Sequence, residues 1–107
     1  VYYSRNFLFV DEKKAGMSRE SVVKALKAEG VDVVAYSWTL LNTYPLFGES
    51  KYWRHMPVLP AEGSMPGCDE ANRTAISLPY FTSAQPELVA QYVKAFQKVW
   101  AHRGSLA

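Results

Sequence analysis

From Leu88 to Trp100, apolar residues recur at helical spacing: Leu88, Val89, Tyr92, Val93, Phe96, Val99 and Trp100, with Gln91, Lys94 and Lys98 set outward. A period near 3.6 over so many residues fits an amphipathic helix and excludes a half-buried strand. Glu87 in the first turn and His102-Arg103 in the last complement the helix dipole. Before it, Ala75-Ile76-Ser77-Leu78 reads as a short strand closed by Pro79, and Tyr80 to Gln85 as a loop. A helix with this much apolar surface must be covered by a sheet or by other helices, so the rest of the chain has to supply that surface.

The remainder provides the pieces. Val1 to Val10 is dense in Val, Tyr, Phe and Leu and suits a strand, while Asp11 to Gly16 is a polar break that predicts a turn. Ser18 offers an N-cap for a helix over Arg19–Glu29, with Val22, Val23 and Leu26 on one stripe and Gly30 as a left-handed stop. Val31 to Trp38 is β-branched and aromatic, which predicts a second strand. Thr39 to Gly67 carries Pro45, Pro57, Pro60 and Pro66, so regular elements there must be short; one helical turn is expected near Leu46 and another near Tyr52. Cys68 to Thr74 has helical composition. The order describes an α+β fold: a small, mainly antiparallel three-stranded sheet with helices on one face.

At 107 residues the chain has room for one core, and a single domain over residues 1–107 is the expectation. Its 12 basic and 10 acidic residues are dispersed and leave no footprint for nucleic acid or an anionic membrane. No apolar run approaches the roughly 20 residues of a membrane span. The single cysteine, Cys68, forms no internal disulfide, and a cytoplasmic setting is expected. The chain opens on Val1-Tyr2-Tyr3, directly inside an apolar run, which reads as an excised domain.

Three segments carry a family resemblance. A helix ending Leu-Lys-Ala-Glu-Gly-Val (Leu26 to Val31) leads into Tyr-x-x-x-Leu-Leu-Asn-x-x-Pro-Leu-Phe (Tyr36 to Phe47). Cys68-Asp69-Glu70-Ala71-Asn72-Arg73 then precedes Ser77-Leu78-Pro79 and the long helix. This pattern resembles the C-terminal small domain of the DegT/DnrJ/EryC1/StrS family, the pyridoxal-phosphate-dependent sugar aminotransferases of fold type I, over nearly the whole chain. It departs from the family's usual Pro-Leu-His or Pro-Leu-Asn at Leu40-Leu41-Asn42, and from its Pro-x-Ala-Glu at Asp69-Glu70-Ala71-Asn72. The resemblance implies a parent transaminase acting on a keto sugar or keto cyclitol, homodimeric, with its catalytic lysine and phosphate-binding groups in a large domain upstream. It implies pyridoxal phosphate in the parent and none bound by these residues alone. A free-standing α+β binding or interaction module is the alternative, since a fold does not fix a function.

Within that resemblance Tyr36 and Asn42 are the candidate substrate-binding residues, because both can hydrogen-bond a sugar hydroxyl. The competing reading makes them a strand tyrosine at a domain interface and a turn asparagine. Lysines 13, 14, 24, 27, 94 and 98 fall on turns or polar helix faces, whereas a lysine that carries a cofactor needs a desolvated setting; Lys51 is less clearly placed. Cys68, His55 and His102 match no common zinc spacing. Glu62, Asp69 and Glu70 are explained without catalysis, the last two by a helix start. Trp38, Tyr44, Phe47, Tyr52 and Trp53 make the long excursion aromatic, as at an interface with the large domain or a second subunit.

Overall fold

The computed structural model describes residues 6–48 and 65–106. The architecture is α+β, built on a three-stranded antiparallel sheet in the order β1-β3-β2. β1 is Phe7–Phe9, β2 Val34–Ala35 and β3 Ala75–Ser77; the helices are α1 Glu12–Ala15, α2 Arg19–Ala28, α3 Pro45–Gly48, α4 Pro66–Thr74 and α5 Pro86–Ala101. The chain divides into two compact units, residues 1–36 with 74–107, and residues 37–73.

In the first unit the register aligns Leu8, Ile76 and Ala35 in one cross-strand row, and Phe7, Ser77 and Val34 in the next. Successive residues alternate faces, so the two rows point to opposite sides. Ile76 is fully buried and shares a cluster with Val23 and Leu26 of α2 and with Ala95 and Val99 of α5, which places both helices on its side of the sheet. On the opposite side the ring of Phe7, on one edge strand, meets that of Tyr36, just past the end of the other, with centroids 5.1 Å apart. Between them the central strand presents only Ala75 and Ser77, both buried, and their small size lets the rings approach.

Local chemistry sets the helix ends. Asp11 accepts from the Lys14 backbone N–H at 3.1 Å, and Gly16 closes the turn at φ 67°. The polar stretch expected as a plain turn is therefore a capped turn of helix, α1. Glu12 then accepts from the Arg19 backbone N–H at 3.0 Å, while the Ser18 hydroxyl accepts from that of Ser21 at 3.2 Å. One short helix thus helps to cap the next. At the far end Gly30, at φ 85°, donates to Lys27 and Val31 donates to Leu26, both at 3.0 Å. This is a Schellman motif, and its apolar partners Leu26 and Val31 are buried in the same cluster.

β2 is shorter than the expected strand over Val31–Trp38. Val33 donates to the carbonyl of Val31 at 3.0 Å, a three-residue turn that bends the chain so that both valines enter the core rather than a ladder. The helical turn expected near Leu46 is α3. The turn expected near Tyr52, and residues 1–5 of the first expected strand, lie outside the described residues.

Candidate functional site

Tyr36 follows β2 directly. Its N–H donates to the Ala75 carbonyl at 3.0 Å, extending the ladder by one residue, and its carbonyl accepts from Arg19 Nη1 at 3.2 Å. The same guanidinium holds Glu20 Oε1 through Nε at 3.0 Å and Nη2 at 2.8 Å. Its side chain is only 15% exposed, so α2 grips the end of β2 through an arginine largely removed from water. That contact holds the Glu20 carboxyl below the usual glutamate range. The Tyr36 ring is half-buried against Phe7. In the sequence Arg19 is only the first residue of the expected helix; nothing local marks its reach, which depends on how α2 lies along the sheet.

Asn42 belongs to the second unit, where it is buried in the 3₁₀ turn Leu41–Thr43. Thr43 anchors that turn by donating its hydroxyl to the Leu40 carbonyl at 2.7 Å. In the same unit Asn72 of α4 pairs with Trp38 as a neighbouring strand would: its Oδ1 accepts from the Trp38 N–H at 2.6 Å, and its Nδ2 donates to the Trp38 carbonyl at 2.8 Å. Asn72 was read only as a departure from a family pattern. An asparagine within a helix whose side chain serves a backbone 34 residues away has no local sequence signature. Trp38, Leu41, Tyr44 and Leu46 are exposed in this unit.

Among the described residues, the other candidates are structural or solvated. Cys68 is exposed. Glu70 pairs with Arg73 at 2.7 Å one turn along α4, and Asp69 lies in the first turn of that helix, where its charge suits the dipole. His102 Nδ1 lies 2.9 Å from the Lys98 carbonyl at the end of α5. Among the described residues no three His, Cys, Asp or Glu side chains gather as metal ligands. The backbone N–H of Lys14 lowers the Asp11 carboxyl in the same way that Arg19 lowers Glu20. Lysines 13, 14, 24, 27, 94 and 98 are all exposed, while Lys51, His55, Glu62, Tyr52 and Trp53 lie outside the described residues. A covalent cofactor linkage needs a desolvated lysine. The described lysines do not fit that role for pyridoxal phosphate.

A groove of about 480 Å³ runs between β1 and α5, with Leu8, Phe9, Leu26, Phe96 and Trp100 among its walls and Asp11, Lys14 and Gln97 as the polar residues. A small-molecule site usually converges several polar groups on its ligand; this wall offers mostly carbon. No described helix is long and apolar enough to cross a membrane. In comparisons with protein-family models, curated proteins and solved structures, none gives a significant match to this chain.

Proposed function

We propose that this chain is the C-terminal small domain of a pyridoxal-phosphate-dependent aminotransferase acting on a keto sugar or keto cyclitol, inactive alone and completed by a large domain. The observation that carries the reading is the Tyr36 to Phe47 run, which leaves the end of β2 as a tyrosine and continues through a short turn holding Asn42. In the family it resembles, this stretch approaches the substrate. Tyr36 and Asn42 then supply hydrogen bonds to substrate hydroxyls, a contact that discriminates strongly between related substrates. The exposed Trp38, Leu41, Tyr44 and Leu46 supply apolar surface for the large domain or a second subunit.

The test is the coding sequence upstream of Val1. The proposal requires an upstream domain of alternating strands and helices carrying a candidate lysine. A start codon immediately before Val1 contradicts it and favours a free-standing binding module.

A further inference from the structure

We infer that α5 is a dimerisation helix, pairing antiparallel with α5 of a second copy of this chain. The inference stands on α5 and does not depend on the aminotransferase reading.

The apolar residues of α5 form two adjacent rows. Leu88, Tyr92, Ala95 and Val99 are spaced 4-3-4, as are Val89, Val93, Phe96 and Trp100. A 4-3-4 spacing averages about 3.7 residues, close to the 3.6 of a helical turn, so each row runs as a continuous apolar stripe along α5. The first row faces its own domain, with Ala95 and Val99 buried and Tyr92 packed on the core cluster. In the second row only Phe96 packs against that cluster; Val89, Val93 and Trp100 are 43%, 49% and 52% exposed. One face of a helix suffices to hold it on a sheet, so a second seam beside the first is surplus to this unit.

Its chemistry favours a second copy. Antiparallel pairing about a two-fold axis between Val93 and Phe96 sets Val89 against the partner helix's tryptophan at 100, and Val93 against its phenylalanine at 96. Every layer then joins one small and one large side chain, and each contact occurs twice, as an isologous interface demands. Parallel pairing would stack the two tryptophans in one layer and leave valine facing valine in two others. Ala90 and Gln97, which flank the seam on its solvent side, are uncharged, so identical faces meet without like-charge repulsion. Arg103, stacked 4.6 Å over the Trp100 ring, closes the seam at one end. Leu8 and Phe9 extend the apolar surface across the groove beside Phe96 and Trp100. This exposed area is on the order of half the ~800 Å² that a stable interface buries on each partner, which predicts a reversible, concentration-dependent dimer.

Sedimentation equilibrium of the 107-residue chain over roughly 5–500 μM tests it, these limits bracketing the micromolar affinity expected of a small interface. The mass is expected to rise from 12.1 kDa towards twice that value. Val93→Glu should abolish the rise while leaving the far-ultraviolet circular dichroism unchanged, and Gln91→Glu, away from the seam, should preserve it. In a Cys68→Ser background, mixed Ala90→Cys and Gln97→Cys chains should form the mixed disulfide in preference to either self-disulfide. A mass fixed at 12.1 kDa throughout, association unaffected by Val93→Glu, or predominance of self-disulfides would each overturn the inference.

Discussion

Truncating Ile76 to alanine probes the sheet–helix core at its centre. Ile76 is fully buried on the middle strand, flanked in register by Leu8 and Ala35, with α2 and α5 on its side. The substitution removes three carbons, about 2.4 kcal/mol at ~0.8 kcal/mol per buried group. Both neighbouring strands are hydrogen-bonded to β3, so the site cannot collapse fully; a residual cavity of ~50 Å³ adds about 1.2 kcal/mol. The expected loss is roughly 3.5 kcal/mol, a large share of the 5–15 kcal/mol typical of a whole protein. With a urea m-value of about 1.5 kcal/mol/M, the unfolding midpoint should fall by roughly 2 M at unchanged slope. Leu8→Ala, in the same row but 39% exposed, should cost less than half as much. A midpoint shift below ~0.5 M for Ile76→Ala, or a larger one for Leu8→Ala, would refute the placement of the core.

Asn72→Ala should cost about 1 kcal/mol and accelerate hydrogen exchange at the Trp38 amide, whereas Asn72→Asp, which keeps the acceptor, should preserve that protection. Gly30→Ala should destabilise by roughly 1–2 kcal/mol, read by thermal melting, because φ 85° strains any residue with a Cβ even though the space there is open. The Glu20 carboxyl is lowered in the folded chain, so its contribution is present above the unfolded pKa and is lost as pH falls through the folded one. Replacing Arg19 with Met should return the Glu20 titration, followed by carbon NMR, towards the ordinary glutamate range. The proposed aminotransferase reading predicts that, in the chain joined to the large domain it requires, Tyr36→Phe raises KM for a keto-sugar substrate roughly three- to tenfold, the worth of one hydrogen bond, and leaves the amino-donor half-reaction unchanged; an unchanged KM would remove Tyr36 from the proposed substrate site.

What could be read from the chain alone follows the range of the interactions involved. The periodicity of α2 and α5, the Ser18 cap and the Gly30 stop are local, and they appear where the residue types place them. Asp11 to Gly16 was read as a turn, but Asp, Lys and Gly serve turns and caps alike, and the Asp11 side chain decides for a helical turn. Val31 and Val33 have strand propensity, yet their burial is satisfied by a bend into the core, and tertiary packing outweighs the preference. For α5, spacing shows which residues are apolar but not how wide a face the domain itself covers, so Val89, Val93 and Trp100 looked like core and are exposed. Tyr36 and Asn42 were legible as residues able to hydrogen-bond, but how the chain engages them was not, Tyr36 through its backbone and ring and Asn42 buried in a 3₁₀ turn. The Arg19 clasp and the Asn72 pairing were not, because each spans a long sequence separation.

The most direct test of the proposed function is an absorbance titration with pyridoxal phosphate, run on the 107-residue chain and on the chain joined to the large domain that the proposal requires. The proposed function requires a stable visible band from a lysine-bound cofactor in the full polypeptide with that large domain, and none from the 107 residues alone. Such a band from the short chain, or its absence from the full polypeptide, would contradict it.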